Sequence, residues 1–449
     1  MESILFLTGR LAEPALRRVL EEIAPADAEA PFRWEVREIG LQVAGLMTAD
    51  MVRRRVAAPV EADRILLPGR CRGDVEALAE HFGIPVQRGP EELKDLPVFF
   101  RREVRPLPLD TYAVAIFAEI VDAPRLDVAA IVDRALAYAA DGADVIDLGG
   151  LPDTPFPHLE DSVRALKDRG LRVSVDSVDT AELLRGGRAG ADYLLSLTLD
   201  TLWIAEEVAS TPVLVGRTPQ DEASLWEAVE RMQARGRPFL ADAILDPIPY
   251  GLLASLVRYQ RLRERFADVQ ILMGIGNLTE LVEADTSGIN AVLLGIVAEL
   301  GASAVLTTQV SPHTRRAVRE ADWARRIMHA AVSHRMLPKG LSEQLMTVHA
   351  RRPFPDAPEE IAAIAREVRD PNFRVQVSQE GVHVYNREGL RVAQDPFALW
   401  PQLHLEHDAS HAFYMGVETA RAQIAWQLGK RYVQDQPLDW GCAAEGSTE

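Results

Sequence analysis

The sequence predicts an α/β protein whose centre is a (β/α)8 TIM barrel, flanked by an N-terminal small α/β domain and a C-terminal α+β domain. Three observations support this prediction. Eight strand-like runs alternate with eight helix-like runs between about residues 111 and 332, and acidic or amide residues stand at several strand ends. Each strand and helix together span roughly 25 to 35 residues, the size of one βα repeat. In such barrels the loops after the strands contain the functional residues.

Composition excludes several classes of protein. A chain of 449 residues is long enough for several domains, and its net charge of −18 disfavours a nucleic-acid partner. Two cysteines, Cys71 and Cys442, are too few for a disulfide framework and are typical of a reducing compartment. The most apolar window, Ile289–Leu306, is interrupted by Glu299 and Gly301, so it predicts a buried helix and strand and no membrane span. We expect a soluble cytoplasmic protein.

Residues 1–105 predict a small α/β domain with a parallel sheet, because short buried strands alternate with amphipathic helices. The predicted strands are Ser3–Thr8, Trp34–Ile39, Arg64–Leu67 and Ile84–Gln87, and the predicted helices are Glu13–Ile23, Thr48–Val56 and Asp74–Phe82. Pro97 and the stretch Arg105–Pro108 predict a linker.

Residues 109–335 predict the barrel. Its expected strands are Tyr112–Glu119, Asp144–Leu148, Arg172–Asp176, Asp192–Leu197, Pro212–Val215, Phe239–Asp242, Val269–Met273 and Ala304–Thr307. Its helices are typified by Asp127–Ala140, Leu225–Arg235, Leu252–Phe266 and Arg315–Val332.

Residues 355–449 predict an α+β domain that follows a proline-rich bridge. Two alternating strands, Phe373–Val377 and Gly381–Asn386, surround a turn, and a helix is expected from about Ala409 to Leu428.

The strand ends offer a set of candidate site residues: Glu119, Asp147, Asp176, Ser196, Asp242, Asn277 and Gln309. A carboxylate at a barrel mouth accepts two parallel hydrogen bonds from an amidine-like edge, such as that of a pterin or guanine ring. An asparagine supplies both a donor and an acceptor to the same ring. The alternative for Asp176 and Asp147 is that they only cap the following helices.

The loop after the seventh strand contains two glycines, Gly274 and Gly276, beside Asn277. Glycines there let the backbone approach a ligand, and their N–H groups can face an anion. The alternative is a plain tight turn.

Three segments resemble a known family. Asp141–Gly150 resembles the second strand of the dihydropteroate synthase family, and Val173–Ser177 resembles its third strand with the pterin-binding aspartate. Gly274–Asn277 is similar to the corresponding loop of pterin-dependent methyltransferases, which belong to the same barrel superfamily. With its flanking domains, the chain resembles the dihydropteroate synthase-related proteins associated with tetrahydromethanopterin metabolism.

This resemblance implies roles for individual residues. Asp176 and Asp242 would bind the amino-pyrimidine edge of the pterin, with Asp246 as a competing match to Asp242, and Asn277 would face the reacting nitrogen. The other expected substrate-binding residues are Glu119, Asp147, Ser196, Arg217, Gly274, Gly276 and Gln309.

The sequence also departs from the synthase pattern. The cationic clamp that holds the diphosphate in synthases is missing, since Gly276–Thr279 and Thr307–Val310 stand where its basic residues are expected. Arg217, His313, Arg315 and Arg316 are the cations that other loops would have to supply.

Three functions follow from the resemblance. The first is a pterin-binding transferase of tetrahydromethanopterin-type cofactor biosynthesis, which condenses an activated dihydropterin with an arylamine. The second is a pterin-dependent methyltransferase in one-carbon metabolism that works with a corrinoid partner protein. The third is a non-catalytic pterin-binding or scaffold protein. A reduced pterin is the expected ligand, magnesium is a further candidate cofactor, and a homodimer is the expected assembly.

The C-terminal domain contains three histidines, His404, His407 and His411, spaced i, i+3 and i+7. On a helix they would share one face, which could bind zinc or the cobalt of a corrinoid. The alternative is that they pack at a domain interface or at the start of a helix.

Overall fold

The computed structural model describes residues 2–24, 32–90, 93–100 and 107–444. The chain divides into two compact units. The first consists of Met1–Tyr112 and Ile327–Leu341, and the second of Ala113–Arg326 and Ser342–Glu449. The division into three domains at residues 105, 109, 335 and 355 stays a prediction, and residues 105 and 106 of the predicted linker lie outside the described residues.

The first unit contains a parallel sheet of four strands in the order β2-β1-β3-β4. The elements are β1 Glu2–Thr8, α1 Glu13–Ile23, β2 Phe32–Glu38, α2 Ala49–Arg55, β3 Arg64–Leu67, α3 Val75–Phe82, β4 Val86–Arg88 and α4 Leu96–Phe99. The helix α3 begins at a side-chain cap, since Asp74 accepts from the N–H groups of Glu76 and Ala77, and it ends at Gly83 with φ of 69°. The parallel sheet was predicted, whereas Pro97 lies inside α4 rather than in a linker.

The two faces of this sheet have separate apolar cores. Phe6 and Leu66 pack with Leu16 and Leu20 of α1 on one face. The opposite face packs against α2 and α3, as successive strand residues point to opposite sides. The unit also includes Ile327–Leu341, and Arg18 Nη2 donates to the carbonyl of His334.

The second unit contains a closed barrel of eight parallel strands in the order β5-β6-β7-β8-β9-β10-β11-β12, which confirms the predicted fold class. The strands are β5 Ala115–Ile120, β6 Val145–Gly149, β7 Arg172–Asp176, β8 Tyr193–Leu197, β9 Thr211–Leu214, β10 Leu240–Ala241, β11 Gln270–Gly274 and β12 Ala304–Thr308. The helices are α5 Val128–Ala140, α6 Leu159–Lys167, α7 Thr180–Ala189, α8 Ile204–Glu207, α9 Glu222–Arg235, α10 Leu252–Arg265, α11 Gly276–Thr279, α12 Thr286–Leu300 and α13 Ala317–Ser333. The end of α13, from Ile327 on, is assigned to the first unit.

Apolar side chains from every barrel strand except β7 form a core in the interior. Phe117, Val145, Leu195, Val213, Leu240, Leu272 and Ala304 form this core. Because side chains alternate along a strand, the residues two positions before and after each of these also face the interior.

Arg325 of α13 connects the segments that precede the first two barrel strands through hydrogen bonds and ion pairs. Its side chain is 2% exposed and donates to the carbonyls of Val114 and Gly142. It also pairs with the carboxylates of Asp144 and Asp322. A buried arginine with this many partners satisfies the backbone carbonyls that precede β5 and β6.

The segment after the barrel contains a three-stranded antiparallel sheet, β13-β14-β15. Its elements are α14 Pro358–Glu367, β13 Arg374–Ser378, β14 Gly381–Asn386, β15 Gly389–Ala393, α15 Pro396–Leu399 and α16 Ala409–Leu428. The two predicted strands and the helix are present, and the third strand was not predicted. Both cysteines are free and buried. Among the described residues, no helix combines the length and apolar character needed to cross a membrane.

Candidate functional site

Strand periodicity brings four carboxyl groups to the mouth of the barrel. Glu119, Asp147 and Asp242 each follow an inward-facing core residue by two positions on the chain. Asp176 ends β7 opposite Leu195 of β8, which also faces inward. The carboxyl ends of barrel strands form one face, so these acidic side chains converge there.

Gly149 makes room for Glu119. In the register of β5 and β6, Glu119 lies opposite Asp147, and Gly149 of β6 lies opposite Asp176 of β7. A Cβ atom on Gly149 would lie 2.6 Å from Oε1 of Glu119, closer than such atoms can approach. Only glycine at position 149 therefore leaves the Glu119 carboxyl in its place between the neighbouring acids.

Asp147 lies beneath the mouth and is fully buried. Ser174 Oγ donates to its Oδ1 at 2.5 Å, while its Oδ2 has no partner among the described residues. Burial, and then the charges of Asp176 and Glu119, raise the pKa of Asp147 well above its ordinary value. The shift favours the protonated form relative to an exposed aspartate, and in that form the group donates a hydrogen bond as well as accepting one.

Glu119 and Asp176 form the upper pair. Burial and the charge of Asp176 raise the pKa of Glu119 to about 7. Burial also raises the pKa of Asp176, against a hydrogen bond from Ser196 that lowers it. Ser196 has φ of 63°, and the pairing of β8 with β9 is irregular at this point. Bulges of this kind redirect a side chain beside a functional site, here Ser196 towards Asp176.

Asp242 completes the cluster from the end of β10. Its Oδ1 accepts from the hydroxyl of Tyr259 and, at 2.7 Å, from the N–H of Ile244. Burial raises the pKa of Asp242 to about 6, partly offset by these two hydrogen bonds. Tyr259 comes from α10 and is buried, so its hydrogen bond fixes the orientation of the Asp242 carboxyl.

Asp246, the competing match to Asp242, is held elsewhere. Its Oδ2 pairs with Nη2 of the buried Arg258 at 2.8 Å. The same arginine donates to the carbonyls of Ala243 and Ile244 and so supports the loop after β10. Asp246 is thus bound by Arg258, whereas Asp242 occupies the inward-facing position two residues after Leu240.

The loop after β11 leads directly into a short helix, α11, which begins at Gly276, so it is not a plain tight turn. The predicted approach of its backbone to a ligand stays a prediction. Asn277 is exposed, and its Nδ2 donates to the carbonyl of Leu245 at 3.0 Å. A Cβ atom on Gly274 would meet nothing within 4 Å, which leaves open space at an inward-facing position.

Two other predicted residues have structural partners. Arg217 forms a bidentate pair with Asp200, through bonds of 2.7 and 2.9 Å. Gln309 Oε1 accepts from the N–H of Val318 at 3.1 Å and so caps α13. The alternative that Asp176 caps α7 is wrong, because Asp179 is the N-cap residue and accepts from the N–H of Ala181.

Sequence reasoning missed several groups at this site. Ser174 faces inward two positions before Asp176, so the alternation along β7 could have identified it. Gly149 belongs to the segment Asp141–Gly150, which resembles a known family, but the sequence does not indicate that its missing Cβ atom makes room for Glu119. Tyr259 sits on a helix, where no strand-end rule applies.

The histidines of the C-terminal region do not share a helical face. The helix α16 begins at Ala409, so His404 and His407 precede it, and His411 lies in its first turn. His411 Nδ1 contacts Asp408 Oδ2 at 2.6 Å. Within the described parts of the chain, no group of three His, Cys, Asp or Glu side chains is arranged to hold a metal ion.

A wide groove of about 980 Å³ lies outside the mouth, beside α10. Its walls are mainly apolar and include Ile248, Leu253 and Val257, with Glu222 and Arg261 also lining it. It contains none of the mouth carboxyl groups, so it is a separate surface. The predicted homodimer stays a prediction.

Comparison with known proteins leaves the function of the chain open. The model of a "Family of unknown function (DUF6513)" matches residues 2–91. An uncharacterized protein of Methanocaldococcus jannaschii is 25% identical, in an alignment that covers 97% of this chain and 98% of that protein.

Solved structures of dihydropteroate synthases also match. The enzyme of Yersinia pestis with a pterine-sulfa conjugate is 17% identical with a TM-score of 0.39, and covers 51% of this chain and 96% of its own. The enzyme of Xanthomonas albilineans with 7,8-dihydropteroate is 20% identical with a TM-score of 0.40, at 51% and 96% coverage. That of Vibrio fischeri is 14% identical with a TM-score of 0.40, at 51% and 95% coverage. At these values the likeness does not indicate what this chain binds.

Proposed function

We propose that the mouth of the barrel binds a reduced pterin and that the protein is a pterin-dependent transferase. The observation that carries this proposal is the inward-facing set of Glu119, Asp176 and Asp242, with Asp147 beneath them. The proposal is also supported by the resemblance of Asp141–Gly150 and Val173–Ser177 to pterin-binding barrels.

The electrostatics of the mouth favour a ligand rich in N–H donors. The pKa values of Glu119 and Asp147 are raised by burial and by neighbouring carboxylates. The amino-pyrimidinone edge of a pterin presents adjacent N–H groups, which a carboxylate such as Asp176 accepts in parallel. Asp242, held by Tyr259, is oriented to accept further donors of the same ring.

Cations are scarce in the loops around the mouth. The loops that follow the eight strands contain no lysine, and their arginines are Arg125, Arg217, Arg315 and Arg316. Arg217 is paired with Asp200, Arg315 donates to the carbonyl of Pro312, and Arg316 lies 3.9 Å from Asp141. A diphosphate leaving group needs a cationic clamp, so this distribution favours methyl transfer over condensation with an arylamine.

In the favoured reaction the methyl group leaves a ring nitrogen of the reduced pterin. The bond from carbon to nitrogen breaks, its electron pair stays on nitrogen, and a nucleophile on the acceptor forms the new bond to carbon. Glu119 has a pKa of about 7 and can give its proton to the nitrogen that gains the electron pair. The corrinoid partner and the link to tetrahydromethanopterin stay predictions.

Calorimetric titration tests the proposal. The ligands are a 5-methyl-tetrahydropterin, 6-hydroxymethyl-dihydropterin and the diphosphate of the latter. The test variants are Asp176→Asn and Asp242→Asn, and Asp161→Asn, an exposed aspartate of α6 paired with Arg164, is the matched control. Loss of a charged hydrogen-bond acceptor corresponds to about ten- to a hundredfold weaker binding.

We expect the methyl-pterin to bind the unmodified protein and the control variant equally, and both mouth variants at least about tenfold more weakly. Tighter binding of the diphosphate than of the methyl-pterin would refute methyl transfer and restore condensation. If none of the three ligands bound the unmodified protein, the pterin proposal would be wrong.

A further inference from the structure

The helix α16 has one long face that the rest of the described chain leaves exposed. Exposed residues recur along it at intervals of three or four, as positions on one side of a helix do. Phe413 on this face is 75% exposed, and a Cβ atom on Gly416 would meet nothing within 4 Å. We call this face the α16 stripe, and its residues are Ala409, Phe413, Gly416, Ala420, Ile424 and Gln427.

The α16 stripe is uncharged, although it lies on the surface of an acidic protein. The only charged side chains of α16 are Glu418 and Arg421, which lie outside the stripe and pair with each other at 2.8 Å. The chain has a net charge of −18, so two copies repel each other, and the repulsion is weakest where the surface is uncharged. An exposed apolar face along a whole helix is typical of a contact with another protein.

The order of large and small residues along the stripe is the same from both ends. The large residues Phe413 and Ile424 have their midpoint between residues 418 and 419, and the small residues Gly416 and Ala420 have theirs at residue 418. Two such helices that cross antiparallel at this point bring Gly416 of one copy close to Ala420 of the other. The same crossing brings Phe413 close to Ile424. A twofold interface requires this reciprocal pairing, and small residues at the crossing let the helix axes approach.

The charges at the two ends of α16 also fit an antiparallel crossing. Glu406 precedes the helix and Arg431 follows it, and both side chains are exposed. Within the part of the chain that the structure describes, neither forms a hydrogen bond or an ion pair. An antiparallel crossing places Glu406 of each copy at the same end as Arg431 of the other, so opposite charges face each other twice. A parallel crossing would instead bring like charges together.

The size of the stripe limits the strength of the contact. A helix of 20 residues is about 30 Å long, so a face about 10 Å wide covers on the order of 300 Å². A standard stable interface covers about 800 Å² per partner. Phe397, which is 85% exposed, adds apolar surface nearby, because Gln423 Nε2 donates to the carbonyl of Gln394 three residues before it. A contact of this size forms and dissociates with protein concentration.

We infer that two copies of this chain associate through α16, in an antiparallel twofold crossing centred near residue 418. The partner of each α16 stripe is therefore the same stripe of a second copy. This inference does not depend on the reaction proposed at the barrel mouth, since none of the mouth carboxyl groups belongs to α16.

Sedimentation velocity of the full chain, over about a hundredfold range of concentration, tests the association. Ala420→Arg places two cations at the crossing, and it leaves the monomer folded because Ala420 is exposed and arginine is a good helix former. Val292→Arg is the matched control, since Val292 is 65% exposed on α12. Circular dichroism establishes that both variants are folded.

We expect the unmodified protein and the Val292→Arg variant to form dimers with dissociation constants within about twofold of each other. The Ala420→Arg variant should dimerise at least about tenfold more weakly, because like charges meet at the crossing. A monomer at every concentration, or a dimer that Ala420→Arg leaves unchanged or that Val292→Arg weakens equally, would overturn the inference.

Charge reversal tests the direction of the crossing. Glu406→Arg alone and Arg431→Glu alone should each weaken the dimer at least about threefold. The chain with both changes should dimerise like the unmodified protein, because each facing pair is again of opposite sign. Failure of the double change to restore the dimer would contradict the antiparallel arrangement.

Crosslinking gives a second measure of direction. In the antiparallel crossing the two thiols of Ala420→Cys lie about 5 Å apart along the helix axis, whereas those of Gln427→Cys lie about 25 Å apart. Cys71 and Cys442 are buried and do not compete. We expect mild oxidation to crosslink the Ala420→Cys dimer and to leave the Gln427→Cys dimer uncrosslinked. Equal crosslinking of both variants would indicate a parallel pair and overturn the inference.

Discussion

Replacing Glu119 by glutamine should make the free protein more stable at alkaline pH. The wild-type carboxyl is held between Gly149 and the neighbouring acids, and burial raises its pKa from 4.5 to about 7. The proton is therefore bound more tightly in the folded chain than in the unfolded chain. Stability from this group is present in full below about pH 4.5 and is lost as the pH rises through about 7.

The size of the effect follows from the change in pKa. Moving the pKa from 4.5 to about 7 corresponds to about 3 kcal/mol of unfolding free energy. Glutamine resembles the protonated acid in shape and has no charge to bury. We therefore expect the Glu119→Gln variant to match the unmodified protein near pH 4.5 and to exceed it by up to about 3 kcal/mol near pH 8.

Urea denaturation followed by circular dichroism measures this difference at the two pH values. Glu227→Gln is the control, because Glu227 is exposed on α9 and pairs with Arg231 on the same helix. Acids distant from the mouth titrate alike in all three proteins, whereas Asp147 loses the neighbouring charge of Glu119, so the comparison measures the titration of position 119 together with its coupling to Asp147. If the Glu119→Gln variant lost as much stability as the unmodified protein between about pH 4.5 and pH 8, Glu119 would not be the buried, proton-binding group described here.

Three further substitutions test the packing around the mouth. Gly149→Ala should push the Glu119 carboxyl out of place and cost about 1–3 kcal/mol in denaturant unfolding, together with a loss of pterin binding; unchanged affinity would contradict the described contact. Tyr259→Phe removes a donor to Asp242, so the pKa of that carboxyl should rise further, as NMR titration of labelled aspartate would show; an unchanged or lower value would contradict the bond. Arg258→Met leaves a buried carboxylate without its partner and should destabilise the protein by about 3–5 kcal/mol in the same unfolding assay, whereas a loss below about 1 kcal/mol would mean that the pair is exposed to water.

The barrel could be predicted from the sequence because the alternation of strands and helices is regular over eight repeats. One departure is β10, predicted as Phe239–Asp242 and observed as Leu240–Ala241. The strand ends early because Asp242 accepts from the N–H of Ile244, which bends the chain into a local turn. Ile244 has φ of 61°, a conformation that no pattern of hydrophobic residues indicates.

The candidate site could be predicted only in part. A strand-end rule finds Glu119, Asp147 and Asp176, since it depends on sequence position alone. It cannot distinguish a carboxyl that faces a ligand from one that binds an arginine, which is why Asp246 competed with Asp242. That difference depends on Arg258, a helix residue brought to the loop by tertiary packing.

The prediction that the three histidines share one helical face is wrong for a local reason. Its spacing suits one helical face only if the helix includes all three residues. Asp408 instead caps the helix, as its Oδ1 accepts from the N–H of His411, and this fixes the start of α16 at Ala409. His404 has φ of 52°, which lies outside the helical range.

The first unit is discontinuous along the chain, and this has a consequence for synthesis on the ribosome. Its sheet is complete by Arg88, but the unit also includes Ile327–Leu341, more than two hundred residues later. Until those residues emerge, the carbonyl of His334 cannot meet Arg18 and part of the unit's surface stays uncovered. The barrel is thus an insertion in the chain of an earlier-starting unit, and a fragment cut at residue 112 would lack a piece of its own structure.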